Sequence, residues 1–205
     1  MTPQPTQKTL HAKAPRPSRA PLGPEDWLMA GFRALVSAGP NALRAEPLAR
    51  AMGTTKGSFY WHFKDVADYH ARLLAHWQTR AFDDVMAALA PHSSSAARLR
   101  HLCRLAVSFA HPAYGGAELE PALRAWARGD ARVATCVQHM DARRIAYLEG
   151  LCQEAGITEP HAARLLYAAT TGLELLDAPS PEQKLATIDL LLDTLLPGSA
   201  TASTR

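Results

Sequence analysis

Long apolar runs, paired cysteines and alternating polar–apolar stretches are all missing from this 205-residue sequence. No run reaches the roughly 18 apolar residues that a membrane span needs, so no membrane partner is expected. The opening residues, MTPQPTQKTLHAKAPRPSRAPLG, have no continuous apolar centre and do not read as a signal peptide. Cys103, Cys136 and Cys152 form no CxxC pair and leave one over, which suits small buried side chains in a reducing cytoplasm. GxSxG, a phosphate-cradling glycine loop and HExxH are also absent. His70 and His76 stand on different faces of a helix, and His111 precedes Pro112 without an evident carboxylate partner. The expectation is therefore a chain that is not an enzyme and uses neither metal nor cofactor.

What is there is 47% hydrophobic and 20% charged, the balance of a globular protein with a sizeable core. Net charge is only +3, but it is unevenly spread. Residues 1–22 hold Lys8, Lys13, Arg16 and Arg19 with no acid, giving +4. Residues 23–65 carry five basic and four acidic side chains, and residues 66–205 carry thirteen basic and fifteen acidic, so the sum is +4 +1 −2. Charge polarised toward one end is what a polyanion-facing end requires. The first 22 residues, rich in Pro, Thr, Ser and Ala, are expected to be a disordered basic arm, and residues 198–205 a flexible tail.

Between them the pattern is helical, and no segment has period two. Pro24 with Glu25 and Asp26 opens a first helix that Gly39-Pro40 ends. A short helix over about 45–52, the turn Gly53-Thr54-Thr55, and a third helix over about 56–63 follow. Val66, Tyr69, Leu73, Trp77, Ala81, Val85 and Leu89 then mark one stripe of a long helix stopped at Pro91. Ser93 to Ser95, Asp130 and Thr158 are expected helix caps, and Ser180-Pro-Glu-Gln183 is a capping box. The reading is an all-α protein of about nine helices, divided as 23–65 and 66–197.

The chemistry concentrates in LARAMGTTKGSFYWHFKD, residues 48–65. Leu48, Met52, Phe59 and Phe63 can interlock in a small core, Ala49 is small where two helices would cross, and Gly53 suits a turn of positive φ. With Phe59 and Phe63 facing inward, Thr54, Thr55, Lys56, Ser58, Tyr60, Trp61, His62 and Lys64 are left outside, and Gly57 lets backbone approach a neighbouring surface. Hydroxyls and amines suit phosphates and base edges, and aromatic rings suit sugars and thymine methyls.

This stretch resembles the helix-turn-helix signature of the TetR family of bacterial transcriptional regulators, most closely over residues 25–75. Ala49-x3-Gly53, then Lys56-Gly57-Ser58-Phe59-Tyr60 and His62-Phe63, carry the likeness. LRAWARGDARVATCVQHMDARRIAYL, residues 123–148, is reminiscent of the family's effector domains. The resemblance implies double-stranded operator DNA as partner, backbone contacts from Tyr60 and His62, and a phosphate contact from Arg44 at the start of the second helix. The sequence departs from the family at Val66, where a lysine is usual, and at Arg44, where Thr or Ser is usual.

A reading head of this size covers few base pairs, so a homodimer on a palindrome is expected. Leu165, Ala169, Gly172, Leu176, Ile188, Leu191, Leu192 and Leu195, on the last two helices, are the candidate interface. The resemblance puts an effector cavity among the middle helices. Its candidate lining is Trp77, Phe82, Met86, Cys103, Phe109, Trp126, Met140, Tyr147 and Tyr167, a set that suits a small, mostly apolar ligand. The implied function is a ligand-released repressor. A helical small-molecule sensor that does not read DNA, or an activator of the same architecture, are the alternatives.

Overall fold

The computed structural model describes residues 22–108, 116–176 and 180–197. The expected arm lies outside this range apart from Leu22, and so do the expected tail and Phe109. Among the described residues every regular element is helical: α1 (Pro24–Ala38), α2 (Ala45–Ala51), α3 (Lys56–His62), α4 (Val66–Thr79), α5 (Val85–Leu89), α6 (Ser95–Ser108), α7 (Leu119–Ala127), α8 (Ala131–Glu154), α9 (Ala162–Glu174) and α10 (Pro181–Leu195). A π-helical turn, Arg80–Asp84, joins α4 to α5 without a break. The two form one rod, so these residues build nine rods.

Local chemistry explains most of the boundaries. Asp26 reaches back to the Gly23 N–H at 2.8 Å and opens α1, with Pro24 at its first position. Gly39, at φ +72°, ends it. The Thr55 hydroxyl accepts from the Ser58 N–H at 3.3 Å and caps α3, and Asp65 caps α4 through the Asp68 N–H at 2.8 Å. Ser94 caps the turn into α6 and Asp130 caps α8. In the box at α10, the Ser180 N–H donates to Gln183 Oε1 at 2.8 Å while Ser180 Oγ accepts from the Gln183 N–H.

Thr158 does not cap α9. The helix begins at Ala162, because Pro160 holds Glu159 out of the helical region. The Glu159 carbonyl instead accepts from the Ala162 N–H in a turn.

Two apolar cores hold the rods together. The first gathers Trp27, Phe32, Leu35, Leu48, Phe59, Phe63, Tyr69, Leu73 and Trp77 with Leu119, Leu123 and Trp126 of α7 and Val133, Val137 and Met140 of α8. The second gathers Leu99 and Cys103 of α6, Leu148 and Leu151 of α8, Leu166 of α9, and Ile188 and Leu192 of α10. Packing is thus continuous across residues 65 and 66, where composition alone suggests a boundary. Gly31 sits where α1 meets Tyr69, and a Cβ there would collide with the Tyr69 hydroxyl. That hydroxyl donates to the Trp27 carbonyl at 2.9 Å, fixing α4 against α1. Ion pairs clamp the outer helices: Arg100 reaches Asp193 at 2.7 Å, Arg104 reaches Asp189 at 3.2 Å, and Arg98 reaches Glu154 at 3.1 Å.

Candidate nucleic-acid interface and cavity

The residues of α3 sort by face as their spacing dictates. Phe59 and Phe63 are buried, at 5.1 Å from each other. Phe59 meets Trp27 edge-on at 5.4 Å and Tyr69 at 5.1 Å, so one aromatic cluster anchors α3 to α1 and α4. Gly53 adopts φ +66°, and the Thr54 N–H closes the turn on the Ala49 carbonyl at 2.9 Å.

Opposite the anchor, Trp61 is 88% exposed and Tyr60 46%. Lys56, Thr55, Gly57 and Lys64 are exposed too, while Thr54, Ser58 and His62 are partly covered. Lys56 Nζ stands 5.9 Å from the Tyr60 ring centre. Arg44, exposed just ahead of α2, completes the set. Among the described residues no ion pair engages Arg44, Lys56 or Lys64, so their charge is presented outward.

A Cβ at Gly57 would meet only the Thr55 hydroxyl, at an ordinary 3.6 Å. Folding does not need a glycine there.

A cavity of about 200 Å³ lies among α4, α5, α6, α7, α8 and α9. Six of the nine expected lining residues are in its wall: Trp77, Phe82, Met86, Cys103, Tyr147 and Tyr167. Trp126 and Met140 are instead buried in the first core, since the faces of α7 and α8 that carry them pack on α1 and α4. Charged side chains join the wall as well: Arg80, Asp84, Glu120, Arg144 and Glu174.

Sequence reasoning missed these charges because Asp84, Glu120 and Arg144 sit beside other charged residues and read as solvated faces, and Glu120 and Arg144 find each other only through the fold. Arg144 Nη2 donates to Glu120 Oε1 at 2.7 Å, and Trp77 Nε1 donates to the same oxygen at 3.2 Å. Behind them Arg124 grips Asp141 with two bonds, 2.9 and 2.8 Å, and the Tyr167 hydroxyl donates to Asp141 at 2.6 Å. Burial works to raise the Asp141 carboxyl, but bonds from Arg124 and Tyr167 outweigh it and hold the group below the usual carboxylate range. Burial pushes the Cys103 thiol up to about 12, leaving it an inert apolar side chain.

The π-helical turn contributes Arg80, Ala81, Phe82 and Asp84 to this wall. Phe82 and Met86, four residues apart, both reach the cavity from this rod.

Of the expected partner-facing residues on α9 and α10, Leu165 and Leu176 are exposed, and Ala169, Gly172, Leu191 and Leu195 are half-covered. Ile188 and Leu192 are fully buried against α6 and belong to the protomer's own core. The stripe on α10 is wide enough to serve two faces, and these two lie on the inner one. Leu175 and Leu190, absent from the sequence expectation, are exposed, the latter by 70%.

The described residues share the all-helical fold of solved TetR-family transcriptional regulators. A transcriptional regulator from Rhodococcus sp. Rha1 superposes with TM-score 0.69 at 19% identity, over 85% of this chain and 96% of its own. A transcriptional regulator from Saccharomonospora viridis, solved in complex with choline, gives TM-score 0.73 at 14% identity, over 84% and 96%. A TetR-family transcriptional regulator from Streptomyces coelicolor gives 0.65 at 17% identity, over 84% and 89%. No family model matches the chain, and no curated protein does. Among the described residues no helix is long and apolar enough to cross a membrane.

Proposed function

We propose that this chain is a sequence-specific DNA-binding transcriptional regulator that works as a homodimer. In this reading it is a repressor that leaves a palindromic operator when a small ligand fills the cavity. One observation carries it: α3 and its cap bury Phe59 and Phe63 while Lys56, Tyr60 and Trp61 turn to solvent, and Arg44 and Lys64 are exposed and, among the described residues, outside any ion pair. Such an edge enters a major groove, with hydroxyls and amines on phosphates and base edges.

Residues 23–65 serve as reading head, with the basic residues of 1–22 able to add phosphate contacts. Residues 66–197 serve as effector and pairing body. The choline-bound neighbour supports a small-molecule role for the cavity. Phe32 supports the coupling, since it stands in the cavity wall and in the core that seats α3. Ligand and DNA would each favour one separation of two reading heads, which is a population shift.

Genomic footprinting of the bound protein yields the operator, and duplex titration then tests the reading. Affinity should fall steeply with added salt, with a logarithmic slope of about −0.9 per phosphate neutralised. Lys56→Ala and Tyr60→Ala should each weaken binding on the order of tenfold with an unchanged helical circular dichroism spectrum. Salt-independent binding, or full affinity in both variants, removes the DNA-reading role.

A further inference from the structure

The cavity's charges do not cancel. Arg80 pairs with Asp84 at 3.1 Å, Arg144 with Glu120 at 2.7 Å, and Arg124 with Asp141 at 2.8 Å. Each guanidinium is thereby matched to one carboxylate. Glu174, near the end of α9, also lines the cavity, and no hydrogen bond or ion pair engages its carboxylate among the described residues.

The charged groups that face Glu174 are Glu120 and Arg124 from α7, Arg144 from α8 and Lys184 from α10. The two arginines are already committed to other carboxylates, and Lys184 makes no ion pair with Glu174. One negative site is left over, beside a wall built from Phe32, Trp77, Phe82, Met86 and Tyr147.

An anionic ligand fits this arrangement poorly, because freeing Arg144 or Arg124 would strand a partly buried carboxylate. A neutral ligand would leave Glu174 as it is. A cation would supply the missing charge and meet electron-rich rings. The protein already sets cations on two of these rings: Arg143 lies 3.6 Å from the Phe82 ring centre and Arg144 lies 6.0 Å from that of Trp77.

We propose that the cavity takes a monocationic ligand with an apolar body, an alkyl- or arylammonium compound, whose charged nitrogen pairs with Glu174. This rests on the effector-cavity reading above and narrows it from a mostly apolar ligand to one with a positive end. The volume of about 200 Å³ fits a small ring bearing a substituted ammonium, since benzene alone occupies an apolar cavity of about 150 Å³. Burial, reinforced by the Glu120 charge, raises the Glu174 carboxyl to about 7 against the partial opposition of Arg144, Arg124 and Lys184. The carboxyl therefore titrates near neutrality, and an arriving cation favours its charged form.

Isothermal titration calorimetry on the full chain with benzyltrimethylammonium and its neutral isostere neopentylbenzene tests this. The cation carries a fixed charge, so any pH dependence belongs to the protein. The wild type should prefer the cation on the order of tenfold, with affinity rising as pH climbs through about 7. Glu174→Gln should lose that preference while still binding neopentylbenzene. If the variant does not fold, the wild-type preference and its pH profile decide alone. Equal affinity for both probes, a preference that survives in the folded variant, or no binding of either probe overturns the proposal. Calorimetry contains no DNA, so its failure leaves the duplex titration standing, and loss of duplex binding leaves the cation test standing.

Discussion

Phe59 anchors α3 against α1 and α4. It is fully buried and touches Trp27, Tyr60, Phe63 and Tyr69. Truncation to alanine should cost about 3–5 kcal/mol, read as a lower midpoint in urea at unchanged slope. A cost under about 1 kcal/mol would mean that the cluster collapses around the gap. Glu174 makes a prediction of opposite character. Its folded carboxyl is raised to about 7 from a usual value of 4.5, so the native state holds more protons across that window. Its stabilising contribution is full below pH 4.5 and is lost as pH rises through about 7. Without ligand, Glu174→Gln should therefore gain melting temperature relative to wild type between pH 4.5 and 8, and a constant difference would contradict the placement. Phe59 was legible in the sequence because Phe63 lies one helical turn away and the polar run Thr-Thr-Lys-Gly-Ser stands ahead of the pair. Glu174 was not, because in the run Gly-Leu-Glu-Leu-Leu it reads as a solvated break in a leucine stripe. Only the distant Glu120, Arg124 and Arg144 give it meaning.

At the scale of the element, α3 is a seven-residue helix whose amide ends are tied by Thr55 and whose second residue is Gly57. Glycine is a poor helix former, and nothing in the fold crowds this position, so alanine should hold or slightly raise stability. The added methyl stands on the outward edge. Gly57→Ala should therefore weaken duplex binding on the order of tenfold in a gel-shift titration while the melting temperature is kept. Full affinity would place DNA on another face. The caps at Asp130 and Ser180, the stop at Gly39 and the turn at Gly53 could all be read beforehand, since each depends on neighbours within four residues. The π-helical turn could not. Arg-Ala-Phe-Asp-Asp holds no proline or glycine, and nothing in its composition marks the extra residue. The late start of α9 belongs between these cases: Thr158 offers a local cap, but the restriction that Pro160 puts on Glu159 delays the helix to Ala162.

For the whole molecule, the exposed leucines are where the proposed pairing can be tested. Leu165, Leu175, Leu176 and Leu190 face solvent on and just beyond α9 and on α10, an apolar area that a solitary protomer gains nothing by showing. Leu165→Asp with Leu176→Asp should give a folded monomer by light scattering and abolish tight binding to a two-half-site duplex. Ile188→Asp should unfold the protomer instead, because that side chain is buried against α6. Sequence periodicity does not tell the two sides of α10 apart, since a stripe of leucines looks the same from within and from without, and Ile188 and Leu192 turn out to face the protomer's own core.

The core beneath α3 has a last consequence, for anyone who would transplant the head. Trp27, Phe32 and Leu35 are roofed by Tyr69, Leu73 and Trp77 and by Leu119, Leu123 and Trp126. A chimera spliced after Asp65 would exchange the floor of a room and keep a ceiling cut for another. Both sides of that seam would have to travel together.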